Sequence, residues 1–220
     1  MAEIQIQDII GDAVQCPYAP CYCEENVWKL CERIQLYRPK IPDEVRQRCF
    51  VIFISNGNKS IPLWCQKAGR REDGLVIWDY HVIFATKDRS DGLVFDLDSE
   101  LPFPCAWSKY YRRTFRPEIE LQLQHQRQFR VISLENYLTH FASDRKHMLT
   151  DAGDFIKPPP QWPAIRTPAT MNNIEHFWCM DSTSPANAYS SVLHTCDDLD
   201  EFITCSKPAD SNTVQQSDVY

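Results

Sequence analysis

The stretch CPYAPCYCEENVWKL, residues 16–30, sets three cysteines within eight positions and then runs into a segment with helical apolar spacing. Cys23 stands at the start of that segment, where the unpaired N–H groups and the dipole of a helix end stabilise a thiolate and are expected to lower its pKa. A nucleophilic thiol also needs a base, and a histidine embedded in a strand-like run supplies one: His81, in WDYHVI. On period-2 alternation His81 shares a face with Asp79 and Ile83, opposite Trp78, Tyr80 and Val82. A hairpin folded around KDRSDG brings residues 96–98 opposite 81–83. Asp96 or Asp98 can then reach the imidazole and set its tautomer, as in a Cys-His-Asp triad. Strand geometry leaves both aspartates open, with Asp98 directly across from His81 in a symmetric hairpin.

The same cysteines admit another chemistry. Cys16, Cys21 and Cys23 could ligate zinc, with Cys31 or a histidine as the fourth ligand, and the chain would then be a non-catalytic binding module. The C-x4-C-x-C spacing lacks a second, distant C-x2-C or H-x3-H knuckle, so zinc is the weaker reading and no metal site is expected. His125, His140, His147, His176 and His194 show no H-E-x-x-H spacing and read as surface or packing residues. No P-loop, dinucleotide-binding or G-x-S-x-G motif occurs, and six glycines leave little for a phosphate cradle.

Elements must hold these side chains in place. Val27, Leu30, Cys31 and Ile34 fall at i, i+3, i+4 and i+7, which predicts an amphipathic helix over 24–37 with Cys31 on its core face. Glu24 and Glu25 in its first turn suit the positive end of the dipole. CFVIFIS (49–55) and IPLWC (61–65) flank the turn-forming NGNK and read as one hairpin; the continuous run 75–86 and the run 93–98 read as a second. A short helix followed by a strand is expected within 112–132, and another short helix at 134–141. The five prolines of 157–170 predict an extended surface segment. One helix, then an antiparallel sheet, then further helices is an α+β architecture.

With 43% apolar and 24% charged residues, the 220-residue chain fits one globular domain, taken as residues 1–206, followed by a polar tail over 207–220. A net charge of −7 argues against a general binder of nucleic acid or anionic membrane, since both require a basic face. MAEIQIQDII has no basic n-region or apolar h-region, and no stretch approaches the ~20 apolar residues of a membrane span. Cytoplasmic and nuclear placement is therefore expected, where the ten cysteines stay reduced.

Taken in order, CYCEENVWKLCE (21–32), VIFISN (51–56), IPLW (61–64), VIWDYHVI (76–83), FDLDSELPFPC (95–105), FRVI (129–132), FASDRKHM (141–148) and PPPQWP (158–163) resemble the protein N-terminal glutamine amidohydrolase family. The resemblance runs from about Cys16 to about Phe202. It implies a papain/transglutaminase-like α-β-α arrangement, with the nucleophile at a helix N-terminus packed on an antiparallel sheet. By motif it makes Cys23 the nucleophile, His81 the base and Asp96 the residue that orients the base. The implied reaction hydrolyses the side-chain amide of an N-terminal glutamine on proteins or peptides. Glutamate and ammonia result, through a thioester, and the product feeds the N-degron degradation pathway. The enzyme is expected to be a monomer and to need no cofactor. A cysteine peptidase or a transglutaminase-like acyl-transfer enzyme is the alternative on the same triad. Glu24, Glu25 and Asp79 are candidates to recognise the substrate α-amine, and no motif chooses among them.

Overall fold

A computed structural model describes residues 5–205, so the tail expected over 207–220 lies outside the described residues. The helices in chain order are α1 (Ile6–Ile10), α2 (Cys23–Leu36), α3 (Asp43–Arg46), α4 (Trp107–Tyr110), α5 (Leu134–His140), α6 (Ile174–Trp178) and α7 (Cys196–Thr204). The strands are β1 (Cys49–Ser55), β2 (Ile61–Leu63), β3 (Val76–Trp78), β4 (His81–Thr86), β5 (Leu93–Phe95), β6 (Cys105–Ala106), β7 (Gln128–Ser133) and β8 (Ser190–Leu193).

The composition of β1 explains the sheet around it. CFVIFIS has almost no polar position to turn toward water, so it must be covered on both faces and paired on both edges. It lies inside a six-stranded antiparallel sheet ordered β6-β5-β4-β1-β7-β8. Val51 and Phe53 pack into one core with Val27, Leu30, Cys31 and Ile34 of α2, Tyr137 of α5 and Phe177 of α6. Ile52 and Ile54 pack into the other, with Trp107 and Tyr110 of α4 and Leu199 and Ile203 of α7. Helices thus cover both faces of one antiparallel sheet, which is the α+β class read from the sequence.

The first expected hairpin does not form. β1 pairs with β4 and β7, whereas β2 pairs with β3 in a separate two-stranded sheet. The NGNK turn is present: Asn56 Oδ1 accepts the N–H groups of Asn58 and Ser60, and its Nδ2 donates to the carbonyls of Ser60, Gln124 and Gln126. It steers the chain out of the main sheet instead of back along β1. Local turn chemistry specified the bend, while burial of both faces of β1 specified its partners.

The second hairpin forms in the expected register, with Phe84 opposite Phe95 and Thr86 opposite Leu93. The run 75–86 is nevertheless two strands, interrupted at Asp79 and Tyr80. Asp79 Oδ1 accepts the Tyr80 N–H at 2.9 Å, and Ser55 Oγ donates to the Asp79 carbonyl at 3.1 Å. These side-chain bonds replace the ladder there. Between 112 and 132 the expected helix reduces to single turns, Tyr111–Phe115 and Leu123–His125, ahead of β7. α5 forms as read, with Ser133 Oγ capping the Asn136 N–H. The proline-rich segment is fastened to the body by Arg145, which donates to the carbonyls of Pro160 and Trp162.

Candidate active site

Cys23 is the first residue of α2, and two contacts fix where that helix begins. Asn26 grips the preceding loop with both ends of its amide, accepting the Ala19 N–H at 2.8 Å and donating to the Ala19 carbonyl at 2.9 Å. The Tyr137 hydroxyl donates to the Glu24 carbonyl at 3.0 Å. Among the described residues no side chain caps the helix start, which leaves its first-turn N–H groups as donors. Cys21 precedes it with φ at 66°, a left-handed conformation that turns the chain sharply into the helix.

His81 opens β4, and Asp96 follows the end of β5. The His81 ring is fully buried; its Nε2 lies 3.0 Å from Asp96 Oδ1. Asp96 also accepts the Tyr110 hydroxyl on Oδ2 at 2.8 Å and the Asp98 N–H on Oδ1 at 3.0 Å. Every one of these partners donates to the carboxylate, so Nε2 carries the proton and Nδ1 is left as an acceptor. Nδ1 is buried and has no hydrogen-bond partner among the described residues. The β4–β5 register, continued, sets Asp98 across from His81, yet beyond Phe95 the chain curls and Asp98 Oδ1 accepts the Tyr18 hydroxyl at 2.6 Å instead. The curl decides between two aspartates that strand parity could not separate. Cys23 arrives from the α2 layer with the Val82 N–H directed at its sulfur and its thiol donating to Glu24 Oε2 at 3.7 Å, and it lines the same cavity as His81.

The protonation states depart from the sequence reading. Burial, then the Glu24 and Asp98 carboxylates, push the Cys23 thiol well above its ordinary value; the Val82 N–H opposes them. A helix end supplies about 0.3–1 kcal/mol at an exposed site, whereas full burial shifts a group by up to several pKa units. The expected lowering is therefore overturned. Burial would lower His81, but Asp96, by charge and hydrogen bond, raises it above its ordinary value, helped by Asp98 and Glu24. The raised thiol favours its protonated form, and His81, which lines the same cavity, keeps Nδ1 as an unprotonated acceptor in the tautomer that Asp96 selects.

The family model described as N-terminal glutamine amidase matches residues 18–203. The chain belongs to the N-terminal glutamine amidase family. Proteins from Drosophila melanogaster and Drosophila mojavensis, both named protein N-terminal glutamine amidohydrolase, are 47% identical over 177 residues, covering 80% of this chain and 84% of each relative. A Drosophila ananassae protein of the same name is 46% identical over the same length.

In this member of the N-terminal glutamine amidase family, Cys23 and His81 line a cavity of about 490 Å³ together with Cys21, Trp78, Asp79 and Asp98. Of the three acidic candidates for the substrate amine, Glu25 is already committed. Arg145 grips it with Nε and Nη2, each at 2.8 Å, and Trp162 Nε1 donates to it at 2.8 Å. Glu24 is fully buried and accepts the Tyr80 hydroxyl at 3.0 Å. Asp79 is exposed on the cavity wall. Sequence reasoning passed over His147, which lines the cavity with Nε2 3.5 Å from Glu24 Oε1, and Trp78, which stacks on His81 with ring centroids 5.4 Å apart. It also missed Tyr110, which orients Asp96. FASDRKHM was the only sequence signal for His147; nothing local links Tyr110 to a residue fourteen positions earlier. Cys16 turns its thiol to the Ile10 and Asp12 carbonyls, and among the described residues no three His, Cys, Asp or Glu side chains are grouped to hold a metal.

Proposed function

We propose that the protein hydrolyses the side-chain amide of an N-terminal glutamine on proteins or peptides, giving N-terminal glutamate and ammonia. The observation that carries this reading is the His81–Asp96 hydrogen bond beside a cysteine that opens a helix, within a chain of the N-terminal glutamine amidase family. His81 Nδ1 takes the Cys23 proton as the sulfur attacks the carboxamide carbon, and the uncapped first-turn N–H groups of α2 receive the developing oxyanion. The C–N bond then breaks, His81 returns the proton to the departing nitrogen, and ammonia leaves a thioester on Cys23. Water attacks the thioester and gives a proton to His81, the C–S bond breaks, and the proton returns to the sulfur. Asp96 holds the ring in one tautomer throughout and stabilises the imidazolium in each half-reaction.

A helix that opens on Cys23, a histidine opening the strand packed beneath it and a carboxylate after the next strand support the reading of a papain/transglutaminase-like core. We read residues 1–206 as one catalytic domain acting as a monomer in cytoplasm and nucleus, its product exposing an N-degron. The charge of −7 supports a protein partner over nucleic acid or membrane. No described helix is long and apolar enough to cross a bilayer. The test is ammonia release from paired peptides with glutamine at the N-terminus or inside. Release from the first alone supports the reading; equal release from internal glutamine favours acyl transfer, and backbone cleavage favours a peptidase.

A further inference from the structure

Four consecutive residues, Trp78, Asp79, Tyr80 and His81, line the cavity that holds Cys23. A continuous strand would send alternate members to opposite faces. The interruption between β3 and β4 breaks that alternation, and all four reach the cavity. Three of them have evident tasks there: Trp78 covers the His81 ring, Tyr80 donates to Glu24, and His81 bonds Asp96. Asp79 has none toward the protein beyond its own turn. Its side chain is exposed, Oδ1 is held by the Tyr80 N–H, and among the described residues no cation pairs with it. An exposed carboxylate on a cavity, anchored by one oxygen and with no partner on the other among the described residues, is arranged for a cationic ligand.

We propose that Asp79 binds the α-ammonium of the substrate's N-terminal glutamine and so sets the requirement for a free N-terminus. The inference rests on the function proposed above. In that residue four bonds separate the nitrogen from the carboxamide carbon, about 5 Å at full extension, so a carbon attacked by Cys23 holds its ammonium inside the same cavity. The competing carboxylates are less available: Glu25 is gripped by Arg145 and Trp162 and Asp96 by His81 and Tyr110, while Asp98, held on one oxygen by Tyr18, is buried where Asp79 is exposed. Glu24 is fully buried behind Tyr80 and His147. Asp79 also lies near enough for its charge to raise the thiols of both Cys21 and Cys23. Glu175 of α6 is the remaining exposed carboxylate on the cavity and serves as the internal comparison.

The experiment measures ammonia release from a glutamine-first peptide and its N-acetylated form by wild type, Asp79→Asn and Glu175→Gln. Asparagine keeps the acceptor for the Tyr80 N–H, and alkylation of Cys23 by iodoacetamide reports whether the site is intact. Asp79→Asn should lower kcat/KM on the free peptide roughly 10- to 100-fold, mainly through KM, because the bound substrate covers the pair and its ammonium is left without a partner. It should also narrow the preference for the free over the acetylated peptide, while Glu175→Gln loses no more than a few-fold. Wild type inert on the free peptide overturns the proposed function and this inference together. Active wild type with Asp79→Asn within threefold of it, with an unchanged preference for the free amine, or with a smaller loss than Glu175→Gln, overturns the inference alone.

Discussion

Replacing Asp96 by asparagine separates two services that a carboxylate gives to a histidine, charge and tautomer. In the structure Oδ1 receives two donors, the His81 Nε2–H and the Asp98 N–H, while Oδ2 receives only the Tyr110 hydroxyl. An asparagine therefore settles with its oxygen at the Oδ1 position, because an NH2 there would face two donors. Its NH2 turns to Tyr110, whose hydroxyl rotates to accept. The tautomer survives and only the charge is lost. A hydrogen bond to a charged group is worth about 1.5–3 kcal/mol against about 1 kcal/mol for a neutral one, so kcat should fall by roughly 3- to 30-fold. Asp96→Ala removes orientation and charge together and should cost about 10³–10⁴. The pH profile supplies a second readout. Asp96 is what raises His81 against the lowering effect of burial, so the wild-type acid limb of kcat/KM lies above the ordinary histidine value and moves to lower pH in Asp96→Asn. Stopped or coupled ammonia assays between pH 5 and 9 measure both. Equal losses in Asn and Ala, or an acid limb that moves upward, would refute the retained tautomer; a larger loss in Asp98→Asn than in Asp96→Asn would refute the assignment of the orienting residue.

Cys23→Ala should abolish ammonia release with an unchanged circular-dichroism spectrum, while Cys21→Ser keeps substantial activity; a fully active Cys23→Ala removes the nucleophile from the mechanism. The Cys23 thiol is held up by burial and by Glu24, so alkylation of resting enzyme should rise through an apparent pKa above that of free cysteine, and a thiol fully reactive at pH 6 would contradict that environment. Glu25→Ala leaves the Arg145 guanidinium without its buried partner and frees Trp162, which should cost about 3–5 kcal/mol in urea unfolding; a loss below about 1 kcal/mol would mean that the pair does not hold the proline-rich segment in place.

Some of this site was legible in the residues because the information is local. The spacing of Val27, Leu30, Cys31 and Ile34 is a helix face whatever it meets, so Cys23 could be set at a helix start from the sequence alone. The turn at KDRSDG and the alternation on either side fixed the β4–β5 register, and with it the proximity of His81 to the segment carrying Asp96 and Asp98. What stayed hidden depends on partners distant in the chain. β1 reads as half of a local hairpin until its second face is counted, and only long-range burial gives it β4 and β7 as neighbours. The pairing of His81 with Asp96 and not Asp98 follows from the curl beyond Phe95, which hydroxyls from elsewhere hold, Tyr110 bonding one carboxylate and Tyr18 the other. The thiol's protonation is decided in the same way: the helix start is a property of the sequence, but the burial and the neighbouring carboxylates that outweigh it exist only once α2 lies on β4. Local periodicity determines which atoms can react, and desolvation and contacts across the sheet decide in which charge state they wait.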